Sequence, residues 1–324
     1  MGEPTIMLHR TLLAVLILGG SLVLADPPES FTGEAKSLIA PGAALQKLAV
    51  GMKFTEGPAW LDRDGGFVIL SDQPNNALMR WDAKNGLQVF RKPSNVSNGN
   101  FALPGGAFLT CEQRIRAVTK TSADGKTTTV VDRFDGKKFH SPNDVVQKSD
   151  GTIWFTDPPY GLPKGEKKEY EGKWVFCYNP ATDSVQAVAT DFDMPNGLCF
   201  SPDESKLYIA DSGKPHHVRV FDVHRMQEDR PVKVPWELIN GRVFCVIDKG
   251  VPDGMRCDTD GRLWSTAGDG IHIFSPDGKL VGKILVSESP ANCTFGGPNG
   301  TTLFIAARAS LYSIETVCKS GEKK

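Results

Sequence analysis

A chain of 324 residues is long for a single β-sandwich, and its 37 basic residues against 38 acidic ones leave a formal net charge of −1. That balance excludes the basic footprint of a nucleic-acid-binding protein. Hydrophobic residues make up 40%, with 33 Gly and 22 Pro, a composition of many short strands joined by turns, and no long amphipathic helical pattern competes with it.

Residues 1–25 read as an export signal. His9 and Arg10 precede the apolar run Leu12 to Leu24, and Val23-Leu24-Ala25 ends in the kind of residues a signal peptidase reads before Asp26. The run is short for a permanent anchor. The expectation is therefore a mature chain beginning near Asp26, exported to the periplasm or secreted and without a stable membrane span. An uncleaved anchor is the alternative, and Met7 is an alternative start. One domain is expected over residues 26–324. Export would place the seven cysteines, Cys111, Cys177, Cys199, Cys245, Cys257, Cys293 and Cys318, where disulfides are permitted. They stand singly in strand-like runs with no Cys-x-x-Cys pair, which speaks against a zinc ribbon or redox motif. Most read as small buried hydrophobes, with room for one disulfide whose pair the sequence does not choose.

Beyond the signal, one unit recurs: a turn, an apolar strand, and a small or polar end. It appears as DRDGGFVILSD, LPGGAFLTCE, SDGTIWFTD, SPDESKLYIAD, TDGRLWSTAG and GGPNGTTLFIAAR, ending at Asp72, Glu112, Asp157, Asp211, Gly268 and Arg308. Spacings of roughly 40 to 57 residues suit four short strands per unit, and their irregularity favours closed blades with variable loops over a solenoid. The fold predicted is all-β, a six-bladed β-propeller with a central metal site.

Ahead of the first unit, Glu56 stands before the Gly57-Pro58 turn. Asn98 and Asn100 precede the second; Asn98, followed by Gly99, reads first as a turn residue. Asn143-Asp144 precedes the third, which closes on Asp157, two prolines and Tyr160, and KGEKKEYEG over residues 164–172 reads as a charged insertion looping over one face. Pro195-Asn196-Gly197 precedes the fourth, followed by His216 and His217, which read as solvated. Asp253 precedes Gly254 ahead of the fifth.

Glu56, Asn143, Asn196 and Asp253 share one position, roughly fifteen residues before the end of a repeat strand. Equivalent positions in a propeller lie at one height around the channel, so these four are expected to converge on the axis. Each alone could be a turn residue. Two carboxylates and two amide oxygens are hard donors, a set that suits Ca²⁺ better than copper or Zn²⁺.

TEGPAW, SPNDVV with WFTDPPYG, PNGLCFSPD and PDGMRCDTDGRLW resemble the motifs of the senescence marker protein/gluconolactonase/luciferin-regenerating enzyme family, over about residues 45–315. The resemblance implies a six-bladed propeller with one divalent metal in the channel and hydrolysis of a small-molecule lactone, such as an aldonolactone. It implies Glu56, Asn196 and Asp253 as metal ligands, Asn143 as a ligand or substrate contact, and Asp253 also as general base. Candidate substrate contacts are Asn98, Asn100, Asn143, Asp144, Asp157 and Tyr160. Ca²⁺ is the cation expected, with Zn²⁺ or Mn²⁺ as alternatives. Animal members carry Arg two residues before the Asn of the ND motif, where this chain has Ser141, which leaves the sugar open. Oligomeric state stays open too. A phosphotriesterase-like hydrolase, a metal-free strictosidine-synthase-like enzyme and a non-catalytic ligand-binding propeller are the other readings. No Gly-x-Ser-x-Gly elbow supports a serine esterase.

Overall fold

A computed structural model describes residues 31–226 and 233–323. The expected signal and its cleavage point before Asp26 lie outside the described residues. Six antiparallel sheets of four or five strands follow one another along the chain, with a two-stranded ribbon between the second and third, and their innermost strands pack side by side in a closed ring. These strands are Thr55–Leu61, Ser97–Ala102, Val145–Gln147, Pro195–Phe200, Met255–Cys257 and Pro290–Gly296. The ring of six blades predicted from the repeat is the arrangement found.

Each repeat forms a blade because its second strand is apolar on both faces. Phe67–Asp72, Ile153–Asp157 and Leu263–Ala267 are buried throughout, packed between the inner strand and the neighbouring blades. In the last two blades this strand ends at Ala267 and Ala307, one residue earlier than the repeat suggested, because tight returns begin there: Ala267 pairs with Gly270 and Ala307 with Ser310. Trp154 and Trp264 are both 0% exposed, and full burial of a large apolar side chain stabilises by about 1.5–3 kcal/mol.

The ring closes by exchange between the two ends of the described chain. Gln46–Ala49 pairs antiparallel with Ser310–Glu315, so the outermost strand of the sixth blade comes from the segment that precedes the first. Phe31–Gly33 similarly adds a fifth strand to the fifth blade, against Leu280–Leu285. Closure turns the inner edge of every sheet toward the axis of the ring, away from other chains.

All seven cysteines are buried and free, the small buried hydrophobes the sequence suggested, and the one disulfide it left open does not form. One detail differs from the sequence reading. The 164–172 insertion is anchored in the core through Tyr170, whose ring stacks on His140 and Trp174 and whose hydroxyl donates to Asp157, while buried Arg116 pairs with Glu166 and Glu169 at 3.1 Å each. Among the described residues no helix is long and apolar enough to cross a membrane.

Close approach at the axis depends on glycine. A Cβ on Gly197 would lie 2.2 Å from the Asp253 carbonyl oxygen, and one on Gly57, at φ +50°, would lie 2.2 Å from the Asn98 carbonyl oxygen. Gly197→Ala should therefore lower stability by about 1–3 kcal/mol through overpacking, read as a reduced urea midpoint. An unchanged midpoint would show that the blades can part without penalty.

Candidate functional site

Register fixes what lines the channel. Four inner strands carry a bulge near their start, where two residues face the interval occupied by one on the second strand. Counting from the last paired residue of each second strand, one layer of the ring is Glu56, Asn98, Asn143, Asn196, Asp253 and Ala291. The next is Gly57, Gly99, Asp144, Gly197, Gly254 and Asn292.

Hydroxyls at the ends of the second strands hold these layers by bonding the next blade. Ser71 Oγ donates to Asn98 O at 2.7 Å, Thr156 Oγ1 to Asn196 O at 2.8 Å, and Thr266 Oγ1 to Ala291 O at 3.3 Å. From the residue after the fourth repeat strand, Ser212 Oγ donates to Pro252 O at 2.5 Å. The acids that close the repeats grip the approach to the inner strand. Asp72 Oδ1 accepts from Lys53 N–H, Asp157 from His140 and Ser141 N–H, and Asp211 from Asp193 and Met194 N–H. The repeating terminal acid is thus a fastening in these blades.

Above the first layer lies a cavity of about 440 Å³, to which five blades contribute. Glu56, Asn98, Asn143, Asn196 and Asp253 form its polar floor, with Tyr160, Ser212, Gln73 and Gln113 around it and Phe54 and Val251 as apolar wall. All four residues expected to share a height are brought together here. Asn98, which reads as a turn residue, occupies the second blade's place in the same ring. Tyr160, 48% exposed, stands at the mouth, and burial of its hydroxyl end, with Asp253 nearby, pushes its pKa up to about 12.

Three expected substrate contacts do not line the cavity. Asn100 is a strut, its Nδ2 donating to Gly57 O at 2.7 Å and its Oδ1 accepting from Thr110 at 2.8 Å. Asp157 is fully buried against the two backbone N–H groups and Tyr170, with burial pushing its carboxyl up to about 7. Asp144 belongs to the second layer, one residue below the cavity floor. The sequence reading missed Asn292 because the sixth blade carries Ala291 at the register position, while Asn292, one residue on, donates to Glu56 Oε2 at 3.3 Å and Asp144 Oδ2 at 3.4 Å. Gln73, Gln113 and Ser212, just past the repeat strands, were also missed; their place directly after the terminal residue was the available signal.

The electrostatics are those of a buried anionic well. Glu56 accepts from Gly57 N–H at 2.8 Å and from Asn292, yet burial, with Asp144 beside it, pushes its carboxyl up to about 8. Burial pushes Asp144 up to about 6, against the pull of Arg256. Asp253 keeps part of its surface open to the cavity, but protein encloses it on the other sides. Burial, then Glu56, then Asp144 raise it well above the carboxylate range, and no hydrogen bond among the described residues offsets this. Asn196 donates its Nδ2 to Ser212 Oγ at 2.9 Å, which leaves Oδ1 for the cavity.

A divalent cation suits this donor set, which is all oxygen and short of positive charge. Glu56, Asn143, Asn196 and Asp253 are the side chains that would hold it. Among the described residues no three His, Cys, Asp or Glu side chains form a metal-binding cluster on their own, so the amide oxygens are needed.

The pH dependence follows. With Glu56 protonated in the folded cation-free chain up to about pH 8 but ionised in the unfolded chain from about 4.5, the folded state binds more protons across that window, so stability falls as pH rises. Cation-free protein should melt at lower temperature at pH 8.5 than at pH 5.5, and the rise in melting temperature on adding Ca²⁺ should grow over the same interval. A Ca²⁺ increment independent of pH would contradict this.

Residues 54–309 match the model of the SMP-30/Gluconolactonase/LRE-like region. A gluconolactonase of Zymomonas mobilis is 32% identical over 312 residues, covering 88% of this chain and 85% of its own length. A gluconolactonase structure from Xanthomonas campestris aligns with a TM-score of 0.82 at 30% identity, covering 93% of this chain and 99% of that one. Regucalcin from Agrobacterium tumefaciens, a calcium-binding protein, shares the fold with a TM-score of 0.67 at 18% identity, over 88% of this chain and 96% of its own.

Proposed function

From the premise that the chain belongs to the SMP-30/gluconolactonase/LRE-like family, we propose that it is a cation-dependent hydrolase that opens a sugar lactone such as an aldonolactone, with Ca²⁺ as the cation. The observation that carries this reading is the cavity floor, where two carboxylates and three amides from five blades face one space with no Lys or Arg among its lining residues. The gluconolactonases of Zymomonas and Xanthomonas support the lactone. The calcium-binding regucalcin, alike in fold, is in keeping with the cation.

When bound, the cation supplies Lewis acidity at the lactone carbonyl and favours negative charge on its oxygen. Glu56, Asn143 and Asn196 hold it, and the Asn196–Ser212 bond fixes which end of that amide faces inward. Asp253 has the second task of taking a proton from the attacking water. It is the floor carboxylate without a hydrogen-bond donor among the described residues, so its oxygens are free to accept. Ring opening leaves the alkoxide of the former ring oxygen, to which the same carboxyl can return the proton. Asn98, Gln73 and Gln113 present amides, and Tyr160 a hydroxyl, to the hydroxyl groups of a sugar.

Two substitutions separate holding from proton transfer. Asp253→Asn keeps an oxygen donor but removes the base, and kcat on an aldonolactone should fall by about 10²- to 10⁴-fold even at saturating Ca²⁺. Glu56→Gln should lose affinity for Ca²⁺ and recover turnover as metal is added. Recovery of Asp253→Asn to near wild-type kcat would make Asp253 a ligand only. Full wild-type activity in excess chelator, with no metal bound, would remove the cation from the reaction.

A further inference from the structure

The first, second and fourth blades each bring a polar side chain to the cavity directly after the acid that ends the repeat strand: Gln73 follows Asp72, Gln113 follows Glu112 and Ser212 follows Asp211. The third blade has Pro158 at that place and reaches the cavity with Tyr160, two residues on. Tyr160 therefore stands on a loop beyond the strand Ile153–Asp157, and its place at the mouth depends on what holds that loop.

Ser141 holds it. Its backbone N–H donates to Asp157 Oδ1 at 2.8 Å, beside the His140 N–H on Oδ2 at 2.6 Å, so the residue is fixed to the end of the repeat strand. Its buried hydroxyl donates to Pro158 O at 2.6 Å and accepts from Gly161 N–H at 3.0 Å. One side chain clamps both ends of the loop 158–161, and Tyr160 lies between the two grips.

The same clamp seats a second cavity residue. Gly161 packs directly against the end of the Gln113 side chain, since a Cβ there would lie 2.0 Å from Gln113 Oε1 and 2.2 Å from its Cδ. Gln113 is 3% exposed and its side-chain amide has no hydrogen-bond partner among the described residues, which leaves it for what enters the cavity. The floor is held separately. Asn143, two residues past Ser141, donates its N–H to Thr156 O at 2.9 Å and accepts from Gly99 N–H at 2.8 Å.

We propose that Ser141 is a positioning residue for recognition of the sugar: by clamping the loop 158–161 it sets Tyr160 and the seat of Gln113 against the hydroxyl groups of the lactone, apart from the residues that hold the cation and move the proton. The inference rests on the lactonase reading given above and assigns substrate recognition to a part of the wall distinct from the floor.

Kinetics of the full chain on gluconolactone at saturating Ca²⁺ test this. Ser141→Ala should raise KM about tenfold with kcat within about twofold of wild type, the pattern of binding lost equally from ground and transition states; tenfold is the size of one or two neutral hydrogen bonds. Gly161→Ala, whose methyl group displaces the Gln113 amide and leaves the Ser141 hydroxyl in place, should raise KM in the same way, and it carries the test alone if Ser141→Ala is too unstable to assay. In a background of Tyr160→Ala with Gln113→Ala, Ser141→Ala should change KM less than about twofold. A wild-type KM in either single variant would overturn the proposal. So would a fall in kcat at unchanged KM, which would make Ser141 a support of the floor, or an undiminished rise in KM in the doubly substituted background. Failure of the wild type to open gluconolactone and other aldonolactones would remove the lactonase reading and this proposal with it, whereas wild-type turnover with an indifferent Ser141 would leave that reading standing.

Discussion

Repulsion among Glu56, Asp144 and Asp253, held inside one ring of protein, is the constraint on which the remaining arrangement depends. Carboxylates in a poorly solvated space resist ionisation, and the raised carboxyl pKa values express that burial first and then, at Glu56 and Asp253, the like charges beside them. A chain tolerates such a site only if folding is secured elsewhere. Here it is secured by six blades whose second strands are buried from end to end and whose last sheet takes its outer strand from the start of the described chain.

Rigidity at the axis is what gives the charge a use. Inner strands are tied to their neighbours by hydroxyls of the preceding blade and, in three blades, to their own approach loops by the terminal acids, so the backbone that carries the cavity-facing side chains is placed by bonds that do not involve those side chains. Preorganised donors need not rearrange when charge develops near them, which is why such placement serves a reaction better than a flexible loop would.

Much of this was legible in the sequence, for a physical reason. A propeller repeats its local chemistry, so the Asp that pins the approach loop in three blades and the polar residue that faces the axis recur at a near-fixed offset, and Glu56, Asn143, Asn196 and Asp253 could be found by that offset. The same logic misled where a residue type has two uses. Asp157 recurs because it fastens backbone N–H groups, not because it meets a ligand, and Asn100 is spent on Gly57 and Thr110 within the wall. Asn98 looked like a turn residue because Asn-Gly is a turn signal, whereas here the glycine allows close approach of blades and the asparagine faces the cavity. Contacts formed only by closure, such as the ion pair of Glu322 with Arg256, leave no periodic trace.

The ring is six-fold in backbone but not in chemistry, and the second layer shows where the symmetry is broken. Four blades place glycine there and let their neighbours approach; the third and sixth place Asp144 and Asn292 instead. The Oδ1 of Asn292 accepts from Cys293 N–H at 2.8 Å, so its Nδ2 is turned toward the channel, where it lies within reach of both Glu56 and Asp144. One neutral amide thereby contacts two carboxylates that would otherwise face each other directly. At the level above, the same blade carries Ala291, which adds no donor to the cavity floor. The sixth blade therefore supports the anionic well from beneath without competing for what binds in it, and the five donors above are left facing one open side.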